Sequence, residues 1–327
     1  MNPDGPAWRP AAFLPRYGGR RWPYAVLDIL LVGLLASGLF LETGFGRTAA
    51  TAPYPGKPTW GLGEDWLLVT HDDPPEPGRG PRGGHASPGA TEHRIDTVME
   101  LHLRHDGGRP LLVSLPLRTS ATVAGYGPAD LGTAYRRGGP RLLIRTVEGI
   151  LHASVDHYVE VGLGGLAALV DALGGVRVCA DHPVRASVPA AAGNCPNVSG
   201  GRALTYLRAG GLPPDHPGRA ERRRRIIAAV LEKAVSPETA LHPARVAAFA
   251  RTVLAVVTVG AGDHLHDLVR LSLALCDGSV TAQTVPTVEG DRIPGVGRVV
   301  RWDPTAMAQL IPAVVIDRPE PTTLIPG

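Results

Sequence analysis

The segment VDHYVEVGLGGLAALVDALGGVRV, residues 155–178, predicts a strand, a helix and the start of a second strand. Residues 157–161 have the β-branched and aromatic bias of a strand. Four apolar side chains then recur at the spacing of one helix face, namely Leu166, Leu169, Val170 and Leu173. Gly174 and Gly175 supply a helix stop. The segment therefore predicts an α/β crossover, a unit that many folds contain.

Further strands and helices are predicted on both sides of this segment. Alternating side chains predict strands over 97–103 and 111–115, joined by a turn at 106–108, and a short strand is predicted over 66–69. Helices are predicted over 142–150, 202–207, 219–235, 245–257 and 266–276, with late strands over 279–286 and 297–302. This order predicts one α/β domain with a central mixed sheet flanked by helices.

An apolar segment near the amino terminus predicts one transmembrane helix over residues 22–43. Arginines precede it at positions 9, 16, 20 and 21, and no basic residue follows before Arg47, so the positive-inside rule places residues 1–21 in the cytoplasm. A cleaved signal peptide is the alternative. The expected order is a cytoplasmic tail (1–21), a single-pass membrane anchor (22–43), a juxtamembrane linker (44–61), an extracytoplasmic domain (62–313) and a C-terminal tail (314–327). The expected location is the cell membrane.

Charge and cysteine content restrict the ligand and the compartment. A net charge of +3 over 327 residues does not indicate a broad nucleic-acid surface, whereas the clustered arginines favour a local anionic ligand. Cys179 and Cys195 flank a loop rich in Pro, Ala and Gly, and a disulfide between them would add about 3 kcal/mol of stability in an oxidising compartment. A zinc site is the less favoured alternative, because no Cys-x-x-Cys or paired histidine spacing accompanies the two cysteines.

Five motifs outside the central segment carry a more specific signal. They are Arg94-Ile95-Asp96-Thr97, Ser114-Leu115-Pro116-Leu117-Arg118, Asp130-Leu131-Gly132-Thr133-Ala134-Tyr135, Tyr206-Leu207-Arg208, and the run from Arg219 to Arg224. Together with residues 155–178 they resemble the LytR-CpsA-Psr family, in particular its actinobacterial members. The resemblance implies membrane-anchored enzymes that transfer a glycopolymer from a polyprenyl-pyrophosphate lipid to peptidoglycan through a phosphodiester link. An apolar cavity between sheet and helices would hold the prenyl chain.

The resemblance also implies roles for individual residues. Asp72 and Asp96 are the expected ligands of Mg²⁺ or Mn²⁺, with Asp73 as a possible substitute for Asp72, because such ions prefer carboxylate and phosphate oxygens. Catalytic and phosphate-binding roles are expected for Arg118, Arg208, Arg219, Arg222 and Arg223, and Arg94 joins them in the substrate-binding set. The spacing of the last three places them on one helix face, where guanidinium groups can bind phosphate oxygens. A solvated basic helix end is the alternative.

Several motif positions depart from the family pattern. Leu117 and Arg118 stand where the family has arginine and aspartate, and Gly132 replaces an asparagine. Gly210 replaces a second arginine, while Arg223 and Arg224 replace two glutamines. These departures leave a second hypothesis open, in which the protein is a catalytically degenerate relative. Such a relative would bind polyprenyl-phosphate lipids or wall polymer as an attenuator or regulator of the cell envelope.

Overall fold

The computed structural model describes residues 43–59, 61–72, 95–178, 195–208, 217–276 and 280–315. From Gly44 onward the chain forms one compact unit. Its first elements are β1 (Gly46–Thr48), β2 (Glu64–His71), β3 (Ile95–Leu103), β4 (Leu111–Leu115), β5 (Ser120–Val123), β6 (Gly127–Asp130), α1 (Leu131–Leu151), β7 (His157–Gly162), α2 (Leu163–Ala172) and β8 (Val176–Arg177). These are followed by β9 (Asn197–Val198), α3 (Gly200–Arg208), α4 (Pro217–Val235), α5 (Pro237–Ala240), α6 (Pro243–Val256), β10 (Val257–Gly260), α7 (Leu265–Cys276), β11 (Thr281–Thr284), β12 (Thr287–Ile293), β13 (Gly297–Trp302) and α8 (Pro304–Val315).

Seven strands form a central mixed sheet in the order β1-β10-β7-β2-β3-β4-β11. The pairs β1/β10, β7/β2 and β4/β11 are parallel, and the pairs β10/β7, β2/β3 and β3/β4 are antiparallel. The predicted α/β class with a central mixed sheet is therefore confirmed. Two hairpins that the sequence did not predict, β5–β6 and β12–β13, form separate two-stranded sheets.

The segment 155–178 folds as β7, α2 and β8, but it does not connect two strands of the central sheet. β8 pairs with β9 in a sheet of its own. The turn before β8 places Gly174 and Gly175 at φ values of 76° and 97°, which favour glycine, so these residues end the helix as the sequence predicts. The predicted order of strand, helix and strand is correct. The prediction of a crossover between two strands of one sheet is wrong, because β8 is not part of the central sheet.

Alternation along the central strands divides the buried side chains between two layers of helices. On β3, Val98 faces one layer, while Met99 and Leu101 face the other. The first face packs on α1 and α8 through Leu143, Val147, Met307 and Leu310. The second packs on α4 and α7, next to a core that α2, α3 and α4 share. The sheet is thus covered on both faces.

Helix α1 is longer than the predicted helix over 142–150 because it continues through a kink. Gly138 and Gly139 have non-helical backbone angles, and Pro140 follows them. The helix begins earlier, where the Asp130 side chain accepts a hydrogen bond from the Thr133 amide at 2.7 Å. The glycine pair looks like a break in the sequence, but in the structure it only bends the helix.

The segment predicted to be a juxtamembrane linker, residues 44–61, contributes to the folded unit. Its strand β1 pairs with β10 at the edge of the central sheet. Phe45 and Ala50 are buried, and Tyr54 donates a hydrogen bond to Glu148 Oε2 on α1 at 2.5 Å. β1 has no clear strand signal in the sequence, because it is short and weakly hydrophobic and lies among glycines, prolines and threonines.

Several predicted features lie outside the described residues. They are residues 22–42 of the expected membrane span, Asp73, Arg94, Cys179 and Gly210. The disulfide between Cys179 and Cys195 therefore stays a prediction. In the described parts of the chain, no helix combines the length and apolarity needed to cross a bilayer.

Candidate functional site

A β-bulge at the start of β3 directs the Asp96 side chain toward α4. Two consecutive residues of β2 pair with Thr97 and Ile95, so Asp96 is left without a cross-strand partner. Ile95 packs in the core beneath α1, on the same face as Val98. If side chains alternated without interruption from Val98, the Asp96 side chain would also point to that face. The extra residue turns its carboxylate to the opposite face, where α4 lies.

Two arginines near the start of α4 hold the Asp96 carboxylate. Arg219 Nη1 donates a hydrogen bond to Asp96 Oδ1 at 2.6 Å, and Arg223 Nη2 contacts Asp96 Oδ2. Asp96 is buried, with 5% of its surface exposed. The helix is fixed in this position because Ile226 and Val230, further along α4, are buried in the core shared with α2 and α3. The basic end of α4 therefore contacts a carboxylate on β3 that lies more than 120 residues earlier in the chain.

Arg223 is completely buried and incompletely hydrogen-bonded. Its Nη1 donates to the Arg219 carbonyl at 2.9 Å, whereas its buried Nε has no hydrogen-bond partner among the described residues. Its Nη2 forms the ion pair with Asp96. Burial lowers the pKa of Arg223 to about 10, against the opposing charges of Asp96 and Asp72. The guanidinium is therefore cationic at neutral pH and has buried donors to offer.

A second and more exposed ion pair lies at the same end of the sheet. Arg208, the last residue of α3, donates Nε and Nη2 to Asp72 Oδ1 at 3.1 and 3.0 Å. The two side chains are 40% and 43% exposed. The charge of Asp72, like that of Asp96, raises the pKa of Arg223. Both predicted metal ligands therefore lie near the Arg223 guanidinium.

Arg222 and Arg224 make different contacts from their neighbours on α4. The Arg222 guanidinium lies 5.7 Å from the ring centroid of Tyr206, which is buried on α3, so this contact joins the two helices. Arg224 donates to Ser114 Oγ on β4 at 2.9 Å and forms an ion pair with Glu221. The arginines at the two family glutamine positions, 223 and 224, thus reach β3 and β4 respectively.

An apolar cavity of about 260 Å³ opens beside Arg224 between the sheet and α4. Its apolar wall comes from both sides and includes Leu68, Met99, Leu112, Ile227, Leu231 and Val280. Glu221, Arg224 and Arg225 lie at its polar part. The cavity therefore places apolar surface next to the basic residues of α4.

The structure places Arg118 and Leu117 differently from the arginine cluster. Leu117 is buried in the core beneath α1. The Arg118 Nη2 lies 3.5 Å from the position that a Cβ would take at Gly297, and the Arg118 carbonyl accepts a hydrogen bond from the Val300 amide at 2.9 Å. The structure thus places Arg118 against the β12–β13 hairpin.

A buried network at the end of β7 was not predicted from the sequence. Tyr135 and Tyr158 both donate hydrogen bonds to the Glu160 carboxylate, the second at 3.0 Å. Burial, followed by the charge of Glu160, raises the pKa of Tyr158 well above its usual range. Tyr135 belongs to a motif that the sequence singles out, but Glu160 appears there only as one polar residue in a strand.

A separate cluster at the opposite end of the sheet was also missed. Single ligand atoms of Glu64, His157 and Asp267 lie within 4.8 Å of one another. His157 Nε2 is 2.8 Å from Glu64 Oε1, and its Nδ1 is 2.7 Å from Asp263 Oδ1. Arg270 also pairs with Glu64 at 2.7 Å, so cationic and acidic groups alternate in this cluster. It is distinct from the carboxylates Asp72 and Asp96.

Fold and site together define a class of protein: an α/β domain with a partly buried cluster of arginines and aspartates near an apolar cavity. The chain belongs to the LytR_cpsA_psr family, whose family model matches residues 69–297. It is 36% identical over 286 residues to the "Probable cell wall biosynthesis protein LcpB" of Corynebacterium glutamicum, covering 85% of this chain and 67% of that protein. The resemblance to actinobacterial members of the family is thereby confirmed.

Two further relatives extend the comparison. The "Polyisoprenyl-teichoic acid--peptidoglycan teichoic acid transferase TagU" of Bacillus mycoides is 31% identical over 150 residues, which are 45% of this chain and 49% of that protein. The present chain thus spans about half the length of that relative. The solved "LytR-Csp2A-Psr enzyme from Actinomyces oris" has a TM-score of 0.57 at 19% identity, covering 82% of this chain and 95% of that one. At this identity the structural likeness supports the fold.

Proposed function

We propose that the protein transfers a glycopolymer from a polyprenyl-pyrophosphate carrier to peptidoglycan. A peptidoglycan hydroxyl oxygen attacks the sugar-bearing phosphorus and forms a P–O bond, while the bond to the bridging oxygen breaks. The leaving group is the lipid monophosphate, and the hydroxyl proton passes to solvent. The observation that carries this proposal is the fully buried Arg223, which pairs with Asp96 and whose Nε has no hydrogen-bond partner among the described residues. Its neighbour Arg224 lines the apolar cavity.

The arginines supply the charge that a pyrophosphate requires. Arg208, Arg219 and Arg223 exceed in number the two carboxylates that they contact, so the cluster has spare positive charge. A phosphate oxygen that accepted a hydrogen bond from the Arg223 Nε would satisfy a donor that is otherwise buried without a partner. Fixed guanidinium groups in a site of restricted solvent stabilise developing phosphate charge at little reorganisation cost.

The donor set also fits Mg²⁺ or Mn²⁺. Asp96 offers a buried carboxylate and Asp72 an exposed one, a pair of oxygen ligands that such ions combine with phosphate oxygens and water. When bound, the ion would neutralise phosphate charge and polarise the phosphorus. Arg208 and Arg219 would then shift from the carboxylates to the phosphate groups, because both ion pairs have side chains that solvent reaches.

The apolar cavity between the sheet and α4 fits the first part of a prenyl chain. Its volume of about 260 Å³ is slightly below that of drug-sized ligand sites, so it would hold a segment of the chain rather than all of it. The predicted anchor at residues 22–43 would keep the domain on the outer side of the cell membrane, where lipid carrier and peptidoglycan meet. TagU, named as a transferase between these two classes of molecule, supports the same substrates.

A catalytically degenerate lipid-binding protein is the second candidate. Leu117 is buried in the core where the family has an arginine, and Arg118 lies against Gly297. The first candidate is favoured because Asp96, Arg208 and Arg219 keep the residues of the family motifs, and Arg219 contacts Asp96 directly.

The test is product formation by the full-length chain in detergent with Mg²⁺, a synthetic polyprenyl-pyrophosphate glycan and peptidoglycan oligomers, followed by mass spectrometry. A phosphodiester-linked product is expected. Arg219→Gln and Asp96→Asn should each lower the rate roughly 100-fold, because each removes a charged group from the phosphate site. Arg251→Gln, an exposed change on α6, serves as the matched control and should leave the rate unchanged.

Lipid binding without product would contradict the transferase, provided that an active relative turns over in the same assay. That outcome would support the binding protein. A rate that Arg219→Gln leaves unchanged would contradict the assignment of the α4 guanidinium groups to the phosphate.

A further inference from the structure

A second cavity, of about 400 Å³, lies between the β5–β6 hairpin, the start of α1 and the β12–β13 turn. It is lined by Tyr126, Pro128, Ala129, Thr133, Arg136, Arg137, Pro294, Gly295 and Val296. The turn that closes one side includes Gly295 at a φ of 77°, which allows the chain to reverse tightly. None of the arginines or aspartates of the phosphate site lines this cavity, so it is a separate feature.

The cavity contains two arginines without acidic partners. Arg136 Nη2 donates to Thr133 Oγ1 at 2.7 Å, and the Arg137 guanidinium lies 5.6 Å from the ring centroid of Tyr126. Within the described parts of the chain, neither guanidinium is in an ion pair. Most of the other arginines on helices near the sheet contact carboxylates, as Arg219 and Arg225 do. Uncompensated positive charge in a concave surface favours an anionic ligand.

The cavity also has a platform for a sugar ring. Tyr126 is 52% exposed, although it is a large aromatic residue. Its contact with Arg137 holds the Tyr126 ring and the Arg137 guanidinium next to each other. Pro128, Pro294 and Val296 add apolar surface around them. An aromatic face, small apolar walls and charged donors together suit an acidic sugar better than a free inorganic ion.

Gly132 connects this cavity to the strand ends of the phosphate site. The Arg136 Nη1 lies 3.5 Å from the position of a Cβ at Gly132, which is an ordinary van der Waals distance, so Arg136 packs beside this position. The Gly132 amide donates to the Leu117 carbonyl at 3.1 Å, two residues beyond the β4 residue that pairs with Val98. Gly132, which stands where the family has an asparagine, therefore lies between Arg136 and the end of the sheet where Asp96 lies.

We propose that this cavity binds an acidic sugar unit, through Arg136 and Arg137 on its anionic group and Tyr126 on its ring. The inference rests on the proposed transfer of a glycopolymer and names a second contact for the glycan. The acidic unit has two sources: a phosphate-bearing sugar of the donor polymer, or a muramoyl unit of the acceptor whose lactyl carboxylate carries no stem peptide. Both present an anion next to a pyranose ring.

The experiment measures equilibrium binding of three probes to the full-length chain in detergent by calorimetry. The probes are glucose 1-phosphate, N-acetylmuramic acid and neutral chitobiose. One of the acidic probes is expected to bind at least tenfold more tightly than chitobiose. The double variant Arg136→Gln/Arg137→Gln should weaken that binding by about tenfold or more, as expected for loss of charged hydrogen bonds. Tyr126→Ala should weaken both acidic and neutral probes, because it removes the stacking surface.

A matched control separates this cavity from general charge effects. Arg251→Gln removes one exposed positive charge on α6 and should leave the affinity unchanged. Preference for glucose 1-phosphate assigns the cavity to the donor, and preference for N-acetylmuramic acid assigns it to the acceptor. Affinity that is unchanged in the double variant, or equal for all three probes, overturns the inference.

The two proposals fail in different ways. Transfer by the wild-type chain, with acidic-sugar binding that does not depend on Arg136 and Arg137, overturns the sugar subsite alone. Absence of transfer, with binding that does depend on these residues, overturns the transferase and leaves an acidic-sugar site.

Discussion

At one end of the β2–β3 strand pair, arginines from α3 and α4 hold Asp72 and Asp96, whereas at the other end histidines hold Asp65 and Glu64. The first end has more cationic than acidic groups and is open to solvent at Arg208. At the second end His102 and Asp65 are almost completely buried, with 2.7 Å between Nδ1 and Oδ1, while Glu64 and His157 line a surface cavity. Arginine keeps its charge at all ordinary pH values, while histidine titrates near neutrality. The basic end is therefore suited to bind an anion, whereas the buried His102–Asp65 pair holds β2 and β3 together.

The largest effect should come from the buried ion pair at the basic end. Asp96→Asn removes the counter-charge of Arg223, which has no exposed surface, and should lower the free energy of unfolding by about 3–5 kcal/mol. Asp72→Asn is the matched change in the exposed pair and should cost less than about 1 kcal/mol. Urea denaturation at pH 7 measures both. Equal losses in the two variants would contradict the difference in burial on which the comparison rests.

Glu100, on β3 toward the other end, should give a gain in stability. Among the described residues neither of its buried carboxylate oxygens has a hydrogen-bond partner, and burial, with the charge of Asp65, raises the pKa of Glu100 well above the usual range. The unfolded pKa is about 4.3, so the folded state loses stability as pH rises above that value toward the folded pKa. Glu100→Met should therefore stabilise the protein by about 1–3 kcal/mol at pH 7, and less at pH 4.

Thermal or urea denaturation at both pH values checks the Glu100 prediction. Glu289→Met, on the exposed strand β12, is the control and should change the stability little. If Glu100→Met instead destabilised the protein, the Glu100 carboxyl group would make a stabilising interaction at this end of the β2–β3 pair. That result would contradict the prediction.

His157 should give the smallest and most pH-dependent effect. Burial lowers its pKa, but the hydrogen bond to Asp263 and the charges of Asp263, Glu64 and Asp267 outweigh burial and raise it. The stabilisation is thus complete below the unfolded pKa of about 6.5 and is lost as pH rises through the folded value. His157→Gln should cost about 1 kcal/mol at pH 5.5, and less as the pH increases.

Denaturation across pH 5.5–9 measures the His157 effect, with His242→Gln at an exposed histidine as the control. A loss that stays constant with pH would mean that the ring acts by stacking on Trp66, 4.1 Å away, rather than by its charge. The histidine end would then resemble the arginine end in its response to pH.

The sequence predicted elements where one local pattern dominates. β4 is predicted with its observed bounds, and α4 begins two residues before the predicted helix, because alternation and the run up to Val235 are clear. β5, β6 and β12 were missed because their short polar stretches have no alternating apolar face. α1 was predicted too short because Gly138 and Gly139 look like a helix end. These errors arise where tertiary contacts override local propensity.

The candidate site was only partly predictable. Motif resemblance selected Asp96, Arg219 and Arg223, which the structure brings into contact across more than 120 residues. The same resemblance selected Arg118, which lies against Gly297. No local pattern signals that Arg136 would occupy the room above Gly132, because that contact depends on the helix start and on the end of β4 together.

The bulge at Asp96 makes the site depend on chain length as well as on residue identity. Deletion of the single codon for Ile95 would allow Asp96 to take its place opposite His71 in an unbroken ladder. The strand would keep its partners from Thr97 onward, yet the carboxylate would point beneath α1 into the apolar core. A relative that lost one residue here could retain every arginine of α4 and still lack the ion pair. Gaps in this strand are therefore as informative about activity as substitutions in the motifs.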